Sequence, residues 1–419
     1  MTPPPLLRRL RLGDAVFIGL GSMIGAGVFA AFAPAAAAAG NWLLLGLAIA
    51  AFVAYCNATS SAQLAAQFPT SGGTYAYGRA MLGDWWGFVA GWGFVVGKIA
   101  SCAAMALTFA AYAVPPEWQK PVAVLAVAGL VTVNLFGVTR TALATRIIVT
   151  VVLVALAIAV AATTTVNSAS ATWAPGQWAL PDAGLYGILQ SAALLFFAFA
   201  GYARIATMGE EVIDPAKTIP RAISISLGAV IVIYAVVGIS VLAALGPAAT
   251  ASSTRPLADA VAAADWPWAS VVVRVGAAVA SLGALLALIA GIGRTSLAMA
   301  REHDLPAWLA AVHPRWHVPH RAELVVGAIV VVLVLATDLR GAIAFSSFGV
   351  LVYYSIANIS AWRQVGAARR YPRWLQLAGA AGCGILVLTL PPLGVLTGVA
   401  VFIVGLAYRG IRLRVAARG

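Results

Sequence analysis

The length of the apolar runs constrains this chain more than any other feature. About 12 stretches of roughly 18 or more apolar residues follow one another, each long enough to cross roughly 30 Å of hydrocarbon. Inside hydrocarbon the backbone N–H and C=O groups find no water, so each run must satisfy them internally as a helix. The fold class is therefore an all-α integral membrane protein with about 12 transmembrane helices. The expected spans are 14–38, 41–66, 84–113, 120–138, 146–165, 185–208, 221–246, 267–299, 322–337, 341–363, 374–390 and 392–409. Only 9% of residues are charged, against about 25% in a soluble domain, too few to cover a water-facing surface of this size. The connections are short, so 1–419 reads as a single membrane domain.

The net charge of +13 would suit nucleic acid, but its placement points elsewhere. Basic residues gather in alternate connections, near 8–11, 79, 140–146, 217–221, 301–321 and 363–373, and in the tail from Arg409. The opposite connections hold little beyond Lys120, Arg255 and Arg340. This is the positive-inside pattern, and it predicts both termini in the cytoplasm of a cell-membrane protein, with no nucleic-acid partner. Cys56, Cys102 and Cys383 lie in apolar runs without CxxC spacing, so neither a disulfide framework nor a metal site is expected, and no cofactor. The connection 301–320 carries all four histidines; a basic loop at the membrane surface explains them more simply than a metal does. The loop 166–184, with Trp173, Pro175, Gly176 and Trp178, suits an interfacial cap.

Two runs read as interrupted helices. The first contains Gly19-Leu-Gly-Ser-Met-Ile-Gly-Ala-Gly27, where each glycine costs a helix about 1 kcal/mol relative to alanine. The sixth contains Phe196-Phe-Ala-Phe-Ala-Gly-Tyr202, where Gly201 serves either a break or close packing. Runs one to five (about 14–165) and six to ten (about 185–363) form two sets of five, with the interruptions in the first member of each. An odd number of helices per set turns the halves over relative to one another. Interrupted helices at corresponding places mark a transporter's mid-membrane binding site. Runs eleven and twelve (about 374–409) are accessory. The half-helix starting near Gly25 offers free N–H groups and a positive dipole end to a carboxylate. The half-helices that end at each break offer carbonyls to an ammonium. An α-amino acid carries both groups. Phe197, Phe199 and Tyr202 are placed to cover such a ligand as a thin gate.

These residues resemble the amino acid–polyamine–organocation (APC) superfamily of transporters. Gly19 through Phe29 is similar to its first-helix signature, and Phe68-Pro-Thr-Ser-Gly-Gly-Thr-Tyr-Ala-Tyr77 to its segment after helix two. Phe196 through Tyr202, with Glu210-Glu-Val-Ile-Asp-Pro215 and Ile219-Pro-Arg-Ala222, resembles its sixth helix and following loop, and Arg301 through Pro306 the loop after helix eight. The likeness covers nearly the whole chain. It implies the leucine-transporter-like 5+5 inverted repeat with broken helices 1 and 6, and rocking-type alternating access. It also implies substrate contacts at Met23, Ile24, Gly25, Ala26 and Gly27 and at Phe197, Ala198, Phe199 and Ala200; Ser22, beside them in the glycine cluster, and Tyr202 are further substrate-binding candidates. The chain departs from the pattern at Ala203, where many relatives carry an acid. It also lacks the helix-five lysine of proton-coupled relatives in 147–154, so that coupling mechanism is not carried over.

Lys98 lies near the middle of the third run, where a charge costs roughly 3 kcal/mol, so it is expected to serve function, the alternative being that it reaches along the helix to a polar neighbour or an interface. It joins the substrate-binding candidates and, with Arg204 and Glu210, the coupling and gating candidates. Arg204 either points into the inner vestibule or pairs with Glu210 or Glu211. No carboxylate lies deep in a run, so a lysine- or arginine-like substrate would lack a partner, and neutral or acidic amino acids fit better. The functional expectation is a secondary amino-acid transporter, coupled to protons or to exchange and independent of sodium. The runner-up readings are a polyamine or organic-amine carrier and a substrate sensor on the same scaffold. An embedded enzyme would need a nucleophile–base pair or metal ligands within the runs, and they hold neither histidine nor paired carboxylates.

Overall fold

The computed structural model describes residues 8–70, 72–137, 142–165 and 180–416. Arg140 and the tryptophan-bearing part of the loop 166–184 lie outside the described residues. The described chain is built of helices, with one isolated parallel bridge, Leu10 to Val212. In order they are α1 (Leu12–Met23), α2 (Ala26–Ala30), α3 (Phe32–Ala39), α4 (Leu43–Gln67), α5 (Gly73–Leu82) and α6 (Asp84–Ala113). Then come α7 (Gln119–Leu135), α8 (Ala142–Thr163), α9 (Gly184–Phe199), α10 (Ala203–Ala206), α11 (Pro215–Ser252) and α12 (Pro256–Ala262). The last are α13 (Pro267–Arg301), α14 (His320–Ala336), α15 (Leu339–Trp362), α16 (Arg373–Thr389) and α17 (Pro392–Ala416).

Among the described residues, 10 helical segments are long and apolar enough to cross a membrane. Two more expected spans, α14 and α16, are 17 residues each, about 25 Å of helix, just short of the hydrocarbon thickness. The stretch Phe32–Gln67 bends back on itself. Gly40 sits at φ +55°, a backbone shape that suits glycine, and α4 returns to pack against α3.

The core is apolar, and unlike a soluble protein the outer surface of the helices is apolar as well. α6 and α15 are buried along most of their length and pack against each other, with α13, α4 and α9 around them. α7 and α17 stand at the periphery and point Leu125, Leu393, Leu396 and Ile403 outward. A belt of exposed leucine, isoleucine and valine like this faces lipid, and the exposed Trp85, Trp118, Trp268, Trp308 and Trp374 near helix ends suit its two interfaces. The chain is a multi-pass membrane protein.

Candidate functional site

The first helix is interrupted where the glycines cluster. α1 stops at Met23, Ile24 leaves helical geometry, and Gly25 (φ −73°, ψ −135°) precedes α2. The sixth is altered more gently: α9 tightens into a 3-10 turn over Ala200–Tyr202 and resumes as α10. The two irregular places lie against each other. A methyl on Gly27 would fall 2.6 Å from Cα of Ala198, and one on Gly201 would fall on the backbone of Ser22 and Met23. A methyl on Gly25 would come 2.9 Å from Cβ of Ala284. These glycines therefore bring backbone against backbone, and protein fills the space beside each.

The carbonyls released at the interruptions are met by side chains. The Tyr234 hydroxyl, from α11, lies 2.6 Å from the Met23 oxygen and 3.0 Å from the Ala198 oxygen. The Ala200 oxygen accepts from Lys98 Nζ of α6 at 3.1 Å and from the Tyr354 hydroxyl of α15 at 3.3 Å. Tyr112 donates to the Phe29 oxygen at 2.9 Å. Buried carbonyls without donors would each be costly in this setting, so these contacts tie three helices, α6, α11 and α15, to the two interruptions. Replacing Tyr234 by Phe leaves Met23 and Ala198 without this donor. The expected result is a protein that inserts normally but is less stable by about 1–3 kcal/mol. A thermal midpoint equal to wild type would show that the hydroxyl contributes nothing.

The other expected residues fall as follows. Met23, Ile24, Ala26, Gly27, Phe197, Ala198, Phe199, Ala200 and Tyr202 are buried around the two interruptions. Phe199 packs on Tyr234 at 5.1 Å between ring centres, and Tyr202 stacks on Tyr354 at 5.0 Å. Ser22 turns its hydroxyl back to the Ile18 carbonyl within α1. Arg204 donates to the Thr207 hydroxyl at 3.2 Å, and no carboxylate among the described residues forms an ion pair with it. Glu210 lies in the turn after α10. In the histidine loop, Nδ1 of His313 accepts from the backbone N–H groups of Arg315 and Trp316.

A second cluster escaped the sequence reading. Asp304, buried in the turn after α13, accepts from the Tyr75 hydroxyl at 2.8 Å and from Arg79 at 3.1 Å on α5. It also pairs with Arg409 of α17, whose guanidinium lies between the rings of Trp85 and Phe88. Arg79 reaches Asp84 at 3.1 Å and Glu302 at 3.5 Å as well. Burial, then the neighbouring Asp304 carboxylate, hold the Tyr75 hydroxyl well above the usual tyrosine range, so it stays a donor. The signal was present in two quoted motifs, 68–77 and 301–306, but nothing in either pointed to Arg409. Arg274 was also missed; it donates to the last carbonyls of α6, those of Tyr112 and Ala113, at 2.8 and 3.1 Å.

Comparison with known proteins places this architecture. A family described as "Amino acid permease" matches residues 14–414. A Mycobacterium tuberculosis protein named only as an uncharacterized transporter is 57% identical over 411 residues, covering 98% of this chain and 92% of the relative. The Arabidopsis thaliana cationic amino acid transporter 7, chloroplastic, is 28% identical over 87% of this chain and 67% of its own length. A Bacillus subtilis branched-chain amino acid permease is 27% identical over 84% and 81%.

Proposed function

The chain belongs to the amino acid permease family, and from that premise we propose that it is a secondary active transporter of amino acids across the cell membrane, working by alternating access. The observation that carries this reading is the contact between two helix interruptions at the centre of a membrane bundle, each releasing backbone groups of the kind that hold a zwitterion. Twelve spans, as a 5+5 inverted repeat plus an accessory pair, account for the order of the helices. In this reading the basic connections, the Asp304 cluster and both termini face the cytoplasm. The substrate carboxylate takes the N–H groups near Gly25 to Gly27, and its ammonium the facing carbonyls. Rocking of the bundle must part the Gly27–Ala198 and Gly201–Ser22 contacts to admit it.

Neutral amino acids fit best and acidic ones also fit, since no ion pair with a carboxylate occupies Lys98 among the described residues and a cationic side chain would meet that ammonium instead. The same ammonium disfavours the polyamine reading. An uptake panel of radiolabelled amino acids in proteoliposomes, with and without a pH gradient, tests the function and separates proton coupling from exchange. A sensor would bind without uptake.

Sodium is not required in this reading. The stretch 282–294 of α13, which lies against Gly25 through Ala284, has no hydroxyl, and a few carbonyls make a poor cage for a hard cation. Ser281, just before it, is buried with no hydrogen-bond partner for its hydroxyl among the described residues and is a candidate ligand. Uptake at fixed pH is expected to be the same in potassium as in sodium buffer. Strict dependence on sodium refutes this part and directs attention to Ser281.

A further inference from the structure

Lys98 is buried at 5% exposure near the middle of α6. Its ammonium has three N–H donors, and among the described residues a single acceptor, the Ala200 oxygen at 3.1 Å. No carboxylate forms an ion pair with it there. Tyr354 fills the other acceptor position of the same oxygen, and the single proton of the Tyr234 hydroxyl is shared between the Met23 and Ala198 oxygens. The carbonyls that would receive a substrate ammonium are thus held by the protein's own donors, one of them an ammonium. Two of its N–H groups are left for a ligand, and a buried positive charge without a counter-ion favours an anionic one.

We propose that Lys98 stands in for the α-ammonium of the substrate, so that the site also takes short carboxylates lacking that group, the 2-oxo and 2-hydroxy acids. The inference rests on the amino-acid transport reading and extends its substrate class. An amino acid must move Lys98 off Ala200 to place its own ammonium there. A 2-oxo acid leaves the lysine in place and accepts from its two spare N–H groups through its carboxylate and 2-oxo oxygen.

The test is binding to the purified full chain in matched pairs: alanine and pyruvate, leucine and 4-methyl-2-oxopentanoate, glutamate and 2-oxoglutarate. In the wild type at least one pair is expected to bind with affinities within about tenfold of each other, a difference worth one charged hydrogen bond or less. Lys98→Met should lose the 2-oxo member by about tenfold or more while changing the amino acid less, since the freed Ala200 carbonyl receives its ammonium. Lys98→Gln keeps a donor for Ala200 without the charge, and serves if the Met variant does not fold; it should lose the 2-oxo acid likewise. Amino acids binding with no 2-oxo acid binding overturns this inference and leaves the transport reading standing. A 2-oxo acid that binds the lysine variants as well as wild type also overturns it. A folded protein that binds neither member of any pair overturns both.

Discussion

Replacing Gly201 by alanine is expected to destabilise the protein by about 3 kcal/mol or more, at the upper end of what overpacking costs. The added carbon falls on the backbone of Ser22 and Met23, with the Met23 nitrogen 2.6 Å away. Neither neighbour is the tip of a flexible side chain, so relief requires moving the whole of α1 away from the 3-10 turn. Gly27→Ala repeats the problem from the other side, against Cα of Ala198 at 2.6 Å. The controls are Gly129→Ala and Gly228→Ala, where an added methyl meets nothing within 4 Å. Both lie inside helices, and both should be neutral or stabilising by up to about 1 kcal/mol. Thermal midpoints of the four variants in one detergent give the comparison. Equal midpoints for Gly201→Ala and Gly228→Ala would mean that the two interruptions do not touch as described.

Asp304→Asn should be the more damaging of the substitutions at the Asp304 cluster, by about 3–5 kcal/mol, because it leaves the buried Arg409 guanidinium without its anion, while Arg79 keeps Asp84 and Glu302. Arg409 is 7% exposed in its side chain, so water does little to replace the lost carboxylate. Arg409→Met should cost less, since Asp304 then keeps Arg79 and Tyr75. The double variant should recover part of the loss of Asp304→Asn alone, because the unpaired charge goes with it. Midpoints and yield of membrane-inserted protein measure this. If Arg409→Met is as harmful as Asp304→Asn, the stacking of Arg409 on Trp85 and Phe88 matters more than its charge.

The features legible in the sequence were those governed by local physics. Apolar run length located the helices, and the glycine cluster located the interruption at Gly25, because both act within a few residues. The sixth helix was half legible. Gly201 marks close approach to Ser22 from another helix, and the chain there tightens to a 3-10 turn instead of opening fully. Lys98 stood out by its charge, but its direction depended on where α9 lies relative to α6. Tyr234 and Tyr354 gave no signal at all, being aromatic residues in apolar runs like many others. The seam between α4, α15 and α16, where Asn358 donates to Asn57 at 2.6 Å, Ser60 donates to Asn358 at 2.7 Å and Asn57 donates to Cys383 at 3.3 Å, joins residues about 300 positions apart. No spacing rule reaches that far.

The pairing of Asp304 with Arg409 also sets an order of events during synthesis. The two residues are 105 positions apart, so the arginine leaves the ribosome well after the carboxylate it neutralises. At about 5–20 residues per second the interval is roughly 5–20 s. Throughout it Asp304 has Arg79 and Tyr75, both made earlier, but the apolar cradle of Trp85 and Phe88 has no guanidinium to hold. The turn after α13 is therefore completed by a helix made well after it, and a nascent chain stalled before α17 should expose Asp304 to a protease or a labelling reagent that the finished protein excludes.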